Sequence, residues 1–499
     1  MKTFWISFTV LVVVFIAGLA WVQFAHPAFP DPDSYYHTRI AALMSEQGLK
    51  PPFPYLPLSV LNEREYYDHH FLFHVALIPF TWFDLRLGGK LAAVLFAVIA
   101  FLSVWHLLRG QQVPYSAIWA LGLMAISDAF LYRLMQVRAQ SLSLAVLALG
   151  LHWMLKGKFK RLLPLGFVYV WLYNAFPLLA VVAGAYIVGV LLVERRLELR
   201  PLVYVLAGLA LGLVINPYFP DNIVFAVRHI APKISDATAL DVGNEWFPYR
   251  TATLLENSPL ALAALGVGAL GLGLRNKRMD ISTASSLLIT LGFGYMLFQS
   301  RRYIEYYPPF ALIFAAFAWA PLIHPGSEEH YLHELRIFSW SSPAWLMRWA
   351  PAILLLVVVG LGGWYSLKNA HMALADSRPF DRYKGAANWL SENTPDGSLV
   401  FQTDWDDFPR LFFYNTHNTY LIGLDPTYMQ IYDQELYDLW VKITDGDVEL
   451  PSQAIRDQFG AHYIHTDLAH SNFINQADAD PHLRQVYRDD DAILYEVVR

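Results

Sequence analysis

Eleven apolar runs alternate with polar stretches along the chain, at residues 4–24, 88–108, 115–131, 141–155, 162–173, 176–193, 202–215, 260–274, 282–298, 306–323 and 352–367. They predict a polytopic α-helical membrane protein of about eleven transmembrane helices. Several runs fall short of the ~20 residues of a straight span, which leaves their ends open. The unbroken stretch 162–193 is too long for one helix, and a proline disfavours helix in the residue before it, so the break is placed at Asn174, ahead of Pro177. The run 71–83 is apolar but too short to span, and reads as an interfacial or re-entrant helix. The first run exceeds the ~7–15 residues of a secretory-signal core. It reads as an uncleaved span, with cleavage near Gly18-Leu19-Ala20 as the alternative.

Basic residues cluster between the runs: Lys156, Lys158, Lys160 and Arg161; Arg195, Arg196 and Arg200; Arg275, Lys277 and Arg278. On this count all three clusters fall on one side, which the positive-inside rule makes the cytoplasm. The N-terminus is then cytoplasmic. The C-terminal part and the two long loops, about 25–87 and 216–259, are periplasmic or extracellular, and the expected location is a prokaryotic cell (inner) membrane.

The pattern changes after residue 370. Residues 383–392 have helical spacing, Asn393-Thr394-Pro395-Asp396-Gly397 is a turn signal, and 398–402, 461–465 and 492–498 read as short strands. The chain is therefore expected to divide into a membrane body, 1–370, and a soluble α/β domain, 371–499. Charge follows the same division. Residues 376–499 hold 22 of the 42 acidic side chains but only 9 of the 36 lysines and arginines. An acidic tail on a basic membrane body argues against nucleic acid as a partner and for two separate domains, and the apolar runs make membrane lipids an expected partner. The absence of cysteine excludes disulfides and thiolate metal sites.

Candidate chemistry concentrates in Pro30-Asp31-Pro32-Asp33-Ser34-Tyr35-Tyr36-His37-Thr38-Arg39, directly after the first apolar run. Polar groups at that depth are costly and usually functional. The plain reading of Asp33 is an N-cap for a helix reaching about Gln47, with Tyr36, Ile40 and Leu43 on its membrane side. Asp68-His69-His70 is a second cluster. Adjacent histidines on a helix point about 100° apart and cannot chelate one ion, so interfacial hydrogen bonding competes with any functional reading. Arg301-Arg302 lies on the outer side, where positive-inside bias gives no reason for paired arginines. Guanidinium groups suit phosphate oxygens, and snorkelling to lipid headgroups is the competing reading. Glu245 by itself is an ordinary loop residue.

Taken together, these stretches resemble the catalytic subunit of oligosaccharyltransferase, a member of the GT-C membrane glycosyltransferases. Asp33-Ser34-Tyr35-Tyr36-His37-Thr38-Arg39 is similar to the family's first-loop motif, with an aspartate six residues before an arginine. Val242-x-x-Glu245-x-x-Pro248 is similar to its mobile external-loop motif. Arg302, seven residues before Pro309, matches the arginine that contacts the lipid-linked phosphate, and four spans follow the Glu245 loop as in the family. Ala386-Ala387-Asn388-Trp389-Leu390-Ser391-Glu392-Asn393-Thr394-Pro395 resembles the opening of its soluble domain. The resemblance implies a sugar or oligosaccharide donor on a polyprenyl phosphate or pyrophosphate and a protein, lipid or glycan acceptor. Asp33 and Glu245 would be catalytic. Arg302, Arg301, Arg39, His37, Tyr36, Arg138, Trp405 and Asp406 would lie around the substrates, and Mg²⁺ or Mn²⁺ would sit on Asp33, Asp31 and Glu245.

Two departures from the family stand out. In Arg133-Leu134-Met135-Gln136-Val137-Arg138-Ala139-Gln140-Ser141, Gln140 stands where an acidic metal ligand is expected. In place of the Trp-Trp-Asp-Tyr-Gly motif that reads an Asn-x-Ser/Thr acceptor stands Thr403-Asp404-Trp405-Asp406-Asp407-Phe408-Pro409. A GT-C enzyme moving a single sugar to a lipid or envelope glycan therefore stays open beside the protein-modifying reading. So does a non-catalytic scaffold or transporter with a periplasmic sensor domain, although no repeat symmetry of the transporter kind is visible.

Overall fold

The computed structural model describes residues 2–230, 244–275, 278–323 and 344–498; Val242, Gly243 and Lys277 lie outside them. A helix stands at each of the eleven predicted positions, in a mostly α-helical membrane protein. Five of these helices are long and apolar enough to cross a bilayer, among them Leu85–Gly110 and Ile281–Gln299, and the number reaches seven if each of two bent pairs is one span. In the first pair, Ser116–Met124 and Asp128–Leu134 meet at 82°, so the predicted straight span 115–131 is broken. The remaining helices are shorter, and a count of eleven spans therefore exceeds what helix length alone carries. The division of 162–193 is as expected, with one helix ending at Leu172 and the next starting at Pro177. Helix Arg200–Val214 packs closely on Leu162–Leu172 because Gly208 has no side chain: a Cβ there would meet the Leu163 carbonyl oxygen at 2.2 Å.

The C-terminal region carries one five-stranded sheet: β1 (Leu399–Gln402), β2 (Thr419–Tyr420), β3 (Tyr463–Asp467), β4 (Leu483–Arg488) and β5 (Ala492–Val497), in the order β2-β1-β3-β5-β4. Strand β1 runs parallel to β2 and β3, with Gln402 opposite His465, while β5 is antiparallel to both its neighbours. Helices cover the sheet, and its core joins Phe401, Trp440, Ile455, Ile464 and Tyr495.

Helix Asp33–Gln47 joins the two parts. Tyr36, Ile40, Leu43 and Met44 pack with Phe53, Tyr383, Phe408, Phe412 and Tyr420, most of them from the C-terminal region. The face expected toward the membrane is thus buried against the α/β region; Tyr35 and Ala41, on the other side, join the core formed by the long helices. Backbone bonds reinforce the joint, from Tyr420 N to Tyr55 O (2.8 Å) and from Val60 N to Tyr428 O (3.1 Å). The predicted interfacial segment forms helix Phe71–Leu77 and a short 3₁₀ turn, Ile78–Thr81, with Phe73 and His74 fully buried.

Candidate active site

Proline fixes the turn that leads into the Asp33 helix. Pro32, and not Asp33, occupies the cap position, and Asp33 is the first helical residue, so the simple cap reading of its carboxylate does not hold. Asp31 accepts instead from Ser34 Oγ, and Ser34 Oγ in turn accepts from Val137 N at 2.9 Å. Tyr132 donates to the Pro30 carbonyl at 2.8 Å. These bonds press the Asp31–Asp33 turn onto segment 132–138.

Arg138 is the centre of the resulting cluster. Its Nε meets Asp31 Oδ2 at 2.7 Å, Nη2 meets Asp33 Oδ2 at 2.9 Å and Nη1 meets Glu245 Oε1 at 3.1 Å. Arg133 forms a second layer, with Nη1 2.5 Å from Glu245 Oε1 and Nε donating to Glu305 Oε1 at 2.8 Å. Arg302 approaches from the far side, its Nε 3.5 Å from Glu245 Oε2 and its guanidinium 4.7 Å above the Trp246 ring. The loop bearing Glu245 is pinned to the end of a long helix: Ser300 Oγ donates to the Glu245 carbonyl (2.9 Å), and Arg301 reaches Phe247 O (3.0 Å) through its backbone and Pro248 O (3.3 Å) through Nε.

Exposure sorts these groups. Asp33, Glu245 and Arg302 are reachable, with side chains 31%, 35% and 32% exposed. Behind them Arg138, Asp31 and Glu305 stand at 8%, 7% and 3%. Burial pushes the Asp33 carboxyl up to about 7, aided by Asp31 and Glu245 and opposed by Arg138. For Glu245 burial acts in the same sense, but Arg133, Arg138 and Arg302 outweigh it and hold its carboxyl well below the usual range. One carboxylate is thus poised to exchange a proton near neutrality, and the other is held charged.

The residues expected to hold Mg²⁺ or Mn²⁺, Asp31, Asp33 and Glu245, each turn an oxygen on a different nitrogen of Arg138. As arranged, this donor set suits an arginine and not a dication. Gln140 lies buried nearby in sequence with its Oε1 making no hydrogen bond, and it adds no negative charge.

Other predicted residues lie elsewhere. Arg39 is committed to the C-terminal region: its Nε donates to Phe413 O at 2.8 Å and its guanidinium lies 5.5 Å from that ring's centre. Tyr36 is buried, its hydroxyl 3.2 Å from that of Tyr66. Trp405 and Asp406 lie in a 3₁₀ turn, Trp405–Asp407; Asp406 feels Asp31 and Arg138, and burial with Asp404 raises its carboxyl to about 6. His37 belongs to a chain that sequence reasoning missed: Asp68 Oδ2 accepts from His74 Nδ1 at 2.7 Å, and His74 Nε2 lies 2.7 Å from His37 Nδ1. Burial, then His74 and Arg138, hold His37 neutral by lowering its pKa well below the ordinary value. His70 stacks on Tyr173 and His69 on Phe225. Asp68, noted only as the start of an Asp-His-His run, was the available signal for that chain, and His74 six residues on gave no further one. Arg133 with Glu305 was also missed; a buried pair so far apart in sequence has no local spacing to betray it.

Among solved structures, the archaeal oligosaccharyltransferase AglB from Archaeoglobus fulgidus, in complex with an inhibitory peptide and a dolichol-phosphate, is similar with a TM-score of 0.66 at 14% identity, over 96% of this chain and 71% of that one. ArnT from Cupriavidus metallidurans bound to undecaprenyl phosphate gives 0.56 at 16%, over 97% of each chain. Arabinofuranosyltransferase AftD from Mycobacteria gives 0.60 at 15%, over 99% of this chain and 40% of that one. At these identities the likeness is one of fold. No family model and no curated protein matches the sequence.

Proposed function

We propose that the chain is a membrane glycosyltransferase that moves a sugar or oligosaccharide from a polyprenyl phosphate or pyrophosphate to an acceptor on the outer face of the membrane. The observation that carries this reading is the sorting by exposure: Asp33, Glu245 and Arg302 face the accessible side of one cluster, and buried partners hold them there. Solved proteins of the same fold bind dolichol-phosphate and undecaprenyl phosphate. In this reading residues 1–370 form the membrane body with a cytoplasmic N-terminus, and residues 371–499 stand outside.

An acceptor hydroxyl or amide attacks the anomeric carbon, the bond from that carbon to the phosphate oxygen breaks, and the electron pair leaves with the phosphate. Arg302, helped by Arg301, stabilises the charge that grows on that oxygen. Asp33 takes the acceptor proton, and attack opposite the leaving phosphate inverts the anomeric centre. Glu245, 3.5 Å from Arg302 Nε, keeps that guanidinium oriented toward the donor phosphate. Arg138 supplies the fixed positive charge beneath the carboxylates, so no step requires Mg²⁺ or Mn²⁺ there.

Thr403–Pro409, standing where a sequon-reading motif would be, favours a second reading in which a single sugar goes to a lipid or envelope glycan. Mass spectrometry of glycoproteins and envelope glycans from cells with the gene, without it, and with Asp33→Asn separates the two. A glycan profile unchanged by deletion under conditions of expression would favour the scaffold reading over both.

A further inference from the structure

A second acidic cluster flanks the 405–407 turn. Asp404, Asp407 and Asp467 offer carboxylate oxygens that all lie within 4.8 Å of one another, the only such group among the described residues. The sheet explains the convergence. Gln402, the last residue of β1, is the register partner of His465 in parallel strand β3; Asp467 ends β3, and Asp404 and Asp407 follow the end of β1. Open α/β sheets bind ligands at such strand ends. Thr403 N bonding to His465 O (3.2 Å) and the Thr403 and Thr466 hydroxyls in contact (2.9 Å) hold the two strands in line.

Acidic side chains alone do not make a site, but here a buried donor is aimed into them. His465 is wholly buried, and neither ring nitrogen makes a hydrogen bond; its Nδ1 stands 3.5 Å from Asp407 Oδ2, which also lacks a hydrogen-bond partner. Buried polar atoms are paired in the great majority of cases, and exceptions call for an unseen partner. The remaining contacts leave room for one. Asp404 Oδ1 accepts from Asp406 N (2.9 Å), and Asp467 Oδ1 accepts from Ala469 N (3.0 Å) and His470 Nδ1 (2.6 Å). Arg382 Nη2 donates to Asp467 Oδ2 at 3.5 Å, and its Nε is unpaired.

We infer that Asp404, Asp407 and Asp467 form a divalent-metal site, with the unpaired His465 Nδ1 lying against Asp407 at its edge. Three carboxylates suit Mn²⁺, and the imidazole beside Asp407 makes Zn²⁺ the other candidate, whereas Ca²⁺ prefers six to eight oxygen ligands. The ion would brace the turn that carries Trp405 and Asp406, and Asp406 feels Asp31 and Arg138. This inference does not depend on the transfer reaction.

The test uses the full chain purified in detergent, stripped of metal, then titrated with Zn²⁺ alone or Mn²⁺ alone. Binding is followed by calorimetry, by metal content after desalting and by melting temperature. One equivalent is expected in the wild type and equally in Asp33→Asn and Glu245→Gln, which separates this site from the transfer cluster. Asp407→Asn should weaken binding by at least about 10-fold and cancel the thermal shift. Asp404→Asn alters a partly exposed residue of a short turn and serves as the variant that keeps its fold, with the same loss expected. Absence of saturable binding in the wild type, or affinity unchanged in Asp404→Asn, would overturn the assignment.

Discussion

Asp33 Oδ2 lies 2.9 Å from Arg138 Nη2, and this contact sets the chemistry of the cluster. The guanidinium is shared with Asp31 and Glu245, so it neutralises several charges without fully compensating any one. Asp33 combines a reachable position with a carboxyl pushed up to about 7. Such a group serves as a general base at neutral pH.

Replacing Asp33 with Asn should therefore reduce transfer by at least about 100-fold, the usual range for loss of a general base. The fold should survive, because Pro32 and not Asp33 caps the helix. Product formation in membranes and the melting temperature of purified protein are the measurements. Activity within tenfold of wild type would remove Asp33 from the mechanism.

The pH profile should carry the same signature. The active form is the carboxylate, whose fraction rises as pH passes upward through about 7, so the rate should climb from pH 6 to 8. Arg138 pulls the Asp33 carboxyl down, so its removal raises that value further. In Arg138→Gln the rising limb should move to higher pH. A profile flat below pH 7 in the wild type would rule out proton removal by Asp33.

Much of this was legible in the chain. A helix stands at every apolar run, and Pro177 does mark the break after Leu172. Asp33 and Arg302 stand out as charges beside long apolar runs, and Glu245, an ordinary loop residue by itself, only by its motif neighbours; the structure brings Glu245 against Arg302. What escaped was partnership. Tyr36, Ile40 and Leu43 form an apolar face that reads the same whether lipid or Phe412 covers it, and the covering residue lies far along the chain. Arg39, half of the recognised motif, spends its guanidinium on the Phe413 carbonyl. His74 completes a chain to His37 across 37 residues, and Asp407 meets His465 only through sheet register. No periodicity of 2 or 3.6 residues encodes such contacts.

Arg302→Ala should raise the apparent KM for the lipid donor by about 10- to 100-fold, as expected for loss of a charged hydrogen-bond partner. Arg302→Lys should recover only part of this. An ammonium keeps the charge but loses both the planar fork and the stacking over Trp246. Steady-state kinetics with varied donor and a saturating acceptor make the comparison. An unchanged KM in the alanine variant would take the phosphate contact away from Arg302.

Arg138→Ala should cost stability as well as activity. Breaking a buried ion pair by removing one partner typically costs about 3–5 kcal/mol, because the surviving charge stays buried. Here Asp31 is the partner left most deeply stranded, with its side chain 7% exposed, while Asp33 and Glu245 can turn toward solvent. The penalty should accordingly be relieved by neutralising Asp31 in the same molecule. Asp31→Asn combined with Arg138→Ala should melt above Arg138→Ala alone, the sign of coupling between touching residues. Arg138→Lys should not restore the wild-type melting temperature, since one ammonium cannot reach three carboxylates arranged around a planar fork. If the single and double variants instead melt additively, Arg138 is not the group that holds these acids together.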